Sequence, residues 1–285
     1  MTDAATRTTE PVLVEPAELV TLLASADPPV LADVRWTLGG PSAEPDFLAG
    51  HLPGAHWVDL ESALTSPPGA GGRHPLPSAA VFEAAMRRIG VGPDRLVVVY
   101  DGASSLAASR LWWLLTDAGH DRVRVLNGGF AAWQAVGGPI ETGPATEVEP
   151  GDFVARPGQR DQRDAAAIAA GLDGAGPTLV DVRAAERFTG ATEPIDPVAG
   201  HIPGAINRPS MENLDEQSRF RPPTEIAERY VGTGDDLVLY CGSGITAAHT
   251  LLALESAGIT ASLYPGSWSE WIVDPSRPVA TGETP

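Results

Sequence analysis

The only cysteine of the chain, Cys241, lies in a setting that favours nucleophilic chemistry. It follows the apolar run at 237–240 and precedes a Gly-Ser-Gly loop at 242–244, after which the sequence becomes helical in its periodicity. Glycines let backbone N–H groups turn toward the sulfur, and a following helix N-terminus adds partial positive charge, so the thiolate is favoured over the thiol. A lone cysteine can also be a small apolar core residue. The loop around Cys241 favours the reactive interpretation.

Composition narrows the functions open to such a thiol. The 285 residues carry 19 basic and 37 acidic side chains, a net charge of −18, and are 43% hydrophobic. This charge argues against nucleic acid and anionic membranes as partners, because both require basic surface. One cysteine excludes an intramolecular disulfide, and no cysteine-histidine cluster has zinc-like spacing, so neither a metal nor another cofactor is expected. An anionic substrate would have to be held by individual arginines and backbone amides.

The N-terminal segment predicts the compartment. Residues 1–11 are polar and lack the apolar stretch of a signal peptide, and no apolar run approaches the roughly 20 residues that span a bilayer. We therefore expect a cytoplasmic protein, in a compartment that keeps the thiol reduced. A monomer is the default oligomeric state.

The elements that position Cys241 belong to an internal repeat. Four landmarks recur in the same order, with a spacing that drifts by only a few residues. They are LADVR at 31–35 and LVDVR at 179–183, GHLPGA at 50–55 and GHIPGA at 200–205, LVVVYDG at 96–102 and LVLYCG at 237–242, and GGFAAW at 128–133 and GSWSEW at 266–271. Such an ordered set indicates a duplication with loop insertions.

Each copy alternates β-branched runs with helical periodicity, which predicts an α/β unit with a mainly parallel sheet flanked by helices. Predicted helices span 16–25, 78–89 and 105–118 in the first copy and 164–172, 224–231 and 245–257 in the second. Predicted strands span 30–34, 95–100, 123–126, 178–182, 236–240 and 261–264. Because 141–159 are rich in proline, glycine and glutamate, we place domains at 1–140 and 161–285, with a linker at 141–160.

The first copy acts as an internal control for the cysteine. Asp101 stands where the second copy has Cys241. A carboxylate cannot do the chemistry of a thiol, so we expect the first domain to be catalytically silent and the chain to have one active site.

These motifs together resemble tandem-domain rhodanese-type sulfurtransferases over nearly the whole chain. The resemblance implies two rhodanese-like domains and a ping-pong reaction, in which the Cys241 thiolate takes a sulfane sulfur as a persulfide and passes it to a second nucleophile. The amides of about Gly242 to Ala247 are expected to stabilise the negative sulfur. The implied acceptor is a small thiol, cyanide or thioredoxin.

The two residues after the cysteine bear on the sulfur donor. Relatives that prefer thiosulfate typically carry two basic residues there, whereas this chain has Gly242 and Ser243. That neutral pair is similar to the 3-mercaptopyruvate sulfurtransferase subfamily and favours mercaptopyruvate as donor, with thiosulfate as the alternative. Ser243 would then bind the donor or help to move its proton, unless it is an ordinary loop hydroxyl.

Further site residues follow from the same resemblance. Arg187 matches an arginine that binds the donor carboxylate, and Gly242, Gly244, Ile245 and Thr246 belong to the substrate loop. A second family arginine has no counterpart at 193–199, which reads EPIDPVA. From the first copy, His74 and Glu61 match a histidine and an acidic residue that reach Ser243 across the domain interface, with Asp59 competing for the acidic position. Together they would form a relay that activates the site.

Other polar residues are expected to be structural. His51 and His201, and the pairs Asp33 with Arg35 and Asp181 with Arg183, recur in both copies although only one copy is active. Trp268, Trp271 and His249 have spacings typical of a helix core.

Two other classes of function remain open. A cysteine phosphatase also uses a thiol between strand and helix, but it requires an arginine at the end of the loop, where this chain has Thr246 and Ala247. A non-enzymatic binding or persulfide-relay module is the other alternative.

Overall fold

The computed structural model describes residues 11–174 and 176–284. The expectation that no signal peptide is present concerns residues that lie almost entirely outside these ranges. Within the described ranges, none of the helices combines the length and the apolar character needed to cross a membrane.

A five-stranded sheet organises the first half of the chain. Its strands are β1 (Leu13–Val14), β2 (Val30–Asp33), β3 (Ala55–Trp57), β4 (Val97–Tyr100) and β5 (Val123–Leu126). The spatial order is β1-β5-β4-β2-β3, and every neighbouring pair is parallel. The helices are α1 (Pro16–Leu23), α2 (Glu44–Ala49), α3 (Leu60–Ala63), α4 (Ala79–Arg88), α5 (Leu106–Asp117) and α6 (Gly129–Ala135).

The second half repeats this plan with four strands. They are β6 (Thr178–Asp181), β7 (Ile206–Asn207), β8 (Leu237–Tyr240) and β9 (Ser262–Leu263), in the order β7-β6-β8-β9, again all parallel. The helices are α7 (Ala165–Ala170), α8 (Ala185–Phe188), α9 (Pro223–Arg229), α10 (Ile245–Ser256) and α11 (Ser267–Trp271), with a 3₁₀ helix at Ser210–Asn213. The predicted α/β class and the duplication are thereby confirmed.

Every predicted helix and strand is present, with ends that differ by at most two residues. The elements that periodicity misses are all short, among them β3, β7, α3 and α8. A strand of two or three residues or a single helical turn does not show a period, which explains why these four were missed. Helices α2 and α6, of six and seven residues, were missed as well.

The central strands and the helices that follow them position the site. All residues of β4 and β8 are buried, and the loops at their carboxyl ends lead into α5 and α10. These two helices are buried on nearly all sides and pack against each other between the domains, as expected for helices that are apolar all round. One core cluster therefore contains side chains from both halves, such as Trp112 and Leu251. This packing brings the two loops face to face.

The predicted linker at 141–160 is packed along the first domain. The Phe153 side chain is buried and meets Phe82 edge to face at 5.9 Å. Arg87 Nε donates to the Phe153 carbonyl at 2.7 Å, and the backbones of Glu141 and His51 exchange hydrogen bonds of 2.9 Å. Composition alone does not reveal this anchoring, because one buried aromatic residue carries much of it.

Candidate active site

Cys241 lies at the carboxyl end of β8, one loop before α10. Its side chain is only 2% exposed. Two backbone amides of the loop point at the sulfur: the N–H of Gly244 donates to Sγ at 3.1 Å and that of Ser243 at 3.4 Å. The loop therefore supplies hydrogen bonds that stabilise negative charge on sulfur.

Glycine at 244 is required by the loop conformation. Gly244 has a φ of +84°, and a Cβ there would lie 2.4 Å from the carbonyl oxygen of Pro265. Only glycine adopts this left-handed conformation at so close an approach without strain.

Ser267, which sequence reasoning missed, binds the backbone of Cys241 through its side chain. The Cys241 N–H donates to Ser267 Oγ at 3.1 Å, and this hydroxyl donates to the Tyr264 carbonyl at 2.9 Å. Ser267 has a φ of +55°, and Gly129 has a φ of +56° at the matching position of the first copy. In the aligned copies, Ser267 stands opposite Gly129. A serine at a position where the other copy has glycine is the signal that could have identified this residue.

A chain of polar contacts from the first domain reaches the loop of the second. His74 Nδ1 and Ser243 Oγ lie 2.7 Å apart, and His74 Nε2 is 3.6 Å from Glu61 Oε1. The Trp36 indole N–H donates to the same Glu61 oxygen at 2.8 Å. Asp59 does not take part, because it precedes α3 and accepts a hydrogen bond from Ser62. Of the two carboxylates considered for this position, Glu61 is the one beside the histidine.

The surroundings of His74 keep its imidazole neutral. The side chain is 6% exposed, and burial lowers the pKa of His74 to about 4, although the nearby Glu61 carboxylate opposes the shift. Near neutral pH the ring is therefore uncharged, and Nδ1 can accept a hydrogen bond from the Ser243 hydroxyl.

Two arginines approach the loop at Gly242, and sequence reasoning identified only one of them. A Cβ at Gly242 would lie 2.7 Å from Arg73 Nη2 and 3.6 Å from Arg187 Nη1. Arg73 belongs to the first domain, where it directly precedes His74. Although the Gly-Ser pair after the cysteine is neutral, two guanidinium groups therefore lie beside it.

Both arginines are paired with carboxylates in the segment where a family arginine is missing. Arg187 donates to Glu193 at 2.7 and 3.1 Å and to Asp196 Oδ2 at 3.0 Å. Arg73 Nη1 donates to the other oxygen, Asp196 Oδ1. One carboxylate thus bridges guanidinium groups from the two domains.

A third arginine, Arg110, lies beneath the cysteine loop and was also missed. It is completely buried on α5 and donates to the backbone carbonyls of Leu64, His74 and Pro75 at 3.0 to 3.4 Å. Its Nη1 has no hydrogen-bond partner among the described residues, and it lies 3.3 Å from where a Cβ of Gly244 would be. Burial lowers the pKa of Arg110 to about 10, opposed by the charge of the Cys241 thiolate.

The matching loop of the first domain contains an anion of its own. The Asp101 carboxylate is buried and accepts backbone N–H bonds of 2.9 to 3.4 Å from Ala103, Ser105, Ala107 and Ala108. Burial raises the pKa of Asp101, opposed by these donors. The left-handed residue before the helix is Ser105 here and Gly244 in the other copy, so this loop is one residue longer than the aligned sequences suggest.

The two loops line one cavity of about 590 Å³. Asp101 lies on one side and Cys241 on the other, with Arg73, Arg183 and Arg187 around them. Of the sequence-predicted site residues, Gly242, Ser243, Ile245 and Thr246 also line it. Gly244 contributes its N–H beneath the sulfur, and His74 and Glu61 stand behind Ser243. A larger cavity of about 670 Å³ beside residues 144–150 contains no thiol.

The residues expected to be structural form hydrogen bonds and ion pairs within their own domains or are buried in the core. His51 and His201 each bond a backbone carbonyl at 2.8 Å and stack on a phenylalanine ring. In both copies the aspartate of the Asp-x-Arg pair binds its arginine, at 2.7 and 2.6 Å. The side chains of Trp268, Trp271 and His249 are fully buried.

Comparison with known proteins agrees with the duplicated fold. The family described as "Rhodanese-like domain" matches residues 15–136 and again 164–274. The chain belongs to the rhodanese family. The matches cover both halves, so the chain contains two rhodanese-like domains.

Relatives within the rhodanese family carry two kinds of name. SseB of Mycobacterium tuberculosis, provisionally named a thiosulfate sulfurtransferase, is 44% identical in an alignment of 282 positions that covers 95% of this chain and 97% of SseB. A Pseudomonas aeruginosa protein provisionally named a 3-mercaptopyruvate sulfurtransferase is 45% identical and covers 89% of this chain and 93% of its own length. The crystal structure of SseA from Escherichia coli, described as a 3-mercaptopyruvate sulfotransferase, is 31% identical with a TM-score of 0.78, over 91% of this chain and all of that one.

Proposed function

We propose that this protein is a sulfurtransferase that moves sulfur from 3-mercaptopyruvate to a thiol or to cyanide through a persulfide on Cys241. The observation that carries the proposal is the cavity between the domains. There the only thiol of the chain receives two backbone N–H bonds and lies beside a serine bonded to a neutral histidine. Relatives named for this activity support it.

The first half-reaction breaks the carbon-sulfur bond of the donor. The Cys241 thiolate attacks the donor sulfur, an S–S bond forms, and the electron pair of the C–S bond moves onto the methylene carbon as the enolate of pyruvate. One proton leaves the donor thiol and one is added to the enolate carbon, so the products are pyruvate and the enzyme persulfide. In the second half-reaction the acceptor attacks the outer sulfur and restores the thiolate.

Ser243, His74 and Glu61 are proposed to manage these protons. The neutral imidazole takes the proton of the Ser243 hydroxyl, which in turn takes that of the donor thiol, and returns it to the enolate. Glu61 is proposed to orient the ring and to stabilise its positive charge while the proton is held there.

The donor carboxylate is proposed to bind the guanidinium groups of Arg187 and Arg73, which approach Gly242 from the two domains. Gly242, Ile245 and Thr246 line the donor cavity, and Gly244 donates its backbone N–H to the sulfur. In this proposal residues 161–285 are the catalytic domain, 141–160 the linker, and 1–140 a silent domain that contributes Arg73, His74 and Glu61.

Thiosulfate is the second candidate donor. It is favoured by the name of SseB and by the second guanidinium group, that of Arg73, beside Gly242. With thiosulfate the S–S bond of the donor breaks and sulfite leaves with the electron pair, so no proton transfer is needed.

We propose further that the enzyme acts in the cytoplasm as a monomer, needs no metal or other cofactor, and can pass sulfur to thioredoxin as well as to small acceptors. A cytoplasmic location would keep the Cys241 thiol reduced.

Intact mass spectrometry tests the proposal. The wild-type protein incubated with 3-mercaptopyruvate should gain one sulfur atom, lose it on addition of cyanide, and release pyruvate and thiocyanate in equal amounts. The Cys241→Ser variant should gain nothing. If wild type gains no sulfur from either donor, the chain is a binding module and the proposal is wrong.

A further inference from the structure

We infer that Asp196 determines donor specificity, because its carboxylate sits in the anion site and disfavours the dianion thiosulfate relative to the monocarboxylate mercaptopyruvate. The inference rests on the proposed function and chooses between its two donors.

The position of Asp196 is the first observation. Its side chain is 4% exposed, and its two oxygens are bound separately, Oδ1 by Arg73 and Oδ2 by Arg187. Both guanidinium groups also reach the space directly above Gly242, next to the reactive sulfur. The carboxylate of Asp196 thus shares the ligands proposed for the donor.

The charge balance around the sulfur is the second observation. Arg73 and Arg187 bring two positive charges, and Glu193 and Asp196 bring two negative ones. Arg183, the remaining arginine of the cavity, is bound to Asp181 and Glu193. This cluster therefore carries no excess positive charge for an incoming anion. The repulsion from Asp196 is about twice as large for a dianion as for a monoanion at the same place.

The two carboxylates differ in how firmly they are held. Glu193 accepts the backbone N–H groups of Ile195 and Asp196 at 3.1 and 3.0 Å in addition to its arginines. Among the described residues, the Asp196 side chain is bonded only to Arg73 and Arg187. Burial raises the pKa of Asp196, against the influence of Arg73. The Glu193 carboxylate thus also holds the backbone at 195–196. The charge of Asp196, by contrast, can be removed without breaking a side-chain bond to the backbone.

The experiment compares Asp196→Asn with wild type on both donors at a saturating concentration of cyanide. If removal of the charge raises kcat/KM for mercaptopyruvate by about threefold, the doubled charge of thiosulfate predicts a gain of about tenfold, the square of that factor. The ratio of the two kcat/KM values should therefore shift toward thiosulfate by about threefold. Asp196→Ala serves as a second variant should the amide refold poorly.

A matched control separates this effect from loosening of the domains. Glu15 also forms an ion pair across the domains, with Arg219 at 3.3 Å, so Glu15→Gln makes the same charge change away from the cavity. It should leave the donor ratio unchanged. An unchanged or lower thiosulfate ratio in Asp196→Asn, or an equal shift in Glu15→Gln, overturns the inference.

Binding to the Cys241→Ser protein distinguishes failure of this inference from failure of the proposed function. Titration of that protein with thiosulfate and with 3-mercaptopyruvate, with and without Asp196→Asn, reads the selectivity without turnover. Unchanged relative affinities together with normal persulfide formation reject the role of Asp196 alone. If Asp196→Asn shifts the relative affinities but the protein with Cys241 intact forms no persulfide, only the proposed function is rejected.

Discussion

Ser243 Oγ and His74 Nδ1 lie 2.7 Å apart, although 169 residues separate them in the chain. Ser243 follows the cysteine of the second domain, and His74 lies in a loop of the first. The proposed proton path therefore exists only when the two domains are packed together, which gives the domain without a cysteine a chemical role.

Replacing His74 with asparagine should separate the two donors. We expect turnover of mercaptopyruvate to fall by about 100-fold, the lower range for loss of a general base. Turnover of thiosulfate should fall by much less, because its transferred sulfur carries no proton. Steady-state rates with both donors check this, and an equal loss for both would mean that His74 only supports the loop.

Glu61 and Asp59 form a pair of matched substitutions. Glu61→Gln should lower kcat for mercaptopyruvate by about threefold to tenfold, because an exposed carboxylate 3.6 Å from the ring stabilises its charge only moderately. Asp59→Asn should leave kcat within about twofold, since Asp59 bonds only Ser62 in this region. Comparison of the two kcat values is the measurement. A larger loss in Asp59→Asn would reverse the assignment.

The neutral state of His74 predicts an unusual pH dependence. Its pKa of about 4 lies below the value of about 6.5 of an unfolded chain, so the unfolded state binds this proton more readily between the two values. The contribution of His74 to stability is therefore complete above about pH 6.5 and is lost as the pH falls toward 4. Activity should show no titration near pH 6.5 and should decline only near pH 4.

Profiles of kcat and of urea unfolding between about pH 4 and 8 measure both effects. His74→Asn should flatten the stability profile in this range. An acid limb of kcat with a midpoint near 6.5 would contradict the buried, neutral imidazole.

Ser267 offers a test of strain against hydrogen bonding. Ser267→Ala keeps the backbone at φ +55° but removes the acceptor of the Cys241 N–H, so the free energy of unfolding should fall by about 1 to 2 kcal/mol. Ser267→Gly loses the same bond but relieves about 1 kcal/mol of left-handed strain, and its stability should stay near that of wild type. Urea unfolding measures the difference. Both variants should transfer sulfur more slowly, and a fully active glycine variant would exclude a positioning role.

The sequence predicts the architecture well because the chain is duplicated. Ordered landmarks in two copies identify the units, and the long buried helices α5 and α10 each follow one of the recurring strands. The loop at Asp101 is less predictable: alignment places Ser105 opposite Ile245, whereas Ser105 has the left-handed conformation of Gly244. A one-residue difference in a loop leaves no trace in hydrophobic patterning.

Contacts across the domains are the part of the site that sequence does not reveal. Arg73 meets Asp196 across 123 residues, and nothing in either local sequence indicates this pairing. The choice of Glu61 over Asp59 depends on the start of α3, a helix of only four residues. Such contacts follow from the docking of α5 on α10, which local periodicity does not encode.

Arg110 leads to the last prediction, which concerns the reactivity of Cys241. A buried guanidinium without a carboxylate partner among the described residues is costly, and the charge of the Cys241 thiolate offsets part of that cost. Arg110→Met removes this positive charge and should therefore lower the rate of Cys241 alkylation by iodoacetamide at pH 7 by about tenfold. Arg110→Lys keeps the charge and should recover most of the rate. The control is Arg124→Met, since Arg124 is also buried but binds Glu18 away from the cavity. Equal alkylation rates in the two methionine variants would show that Arg110 acts only on packing.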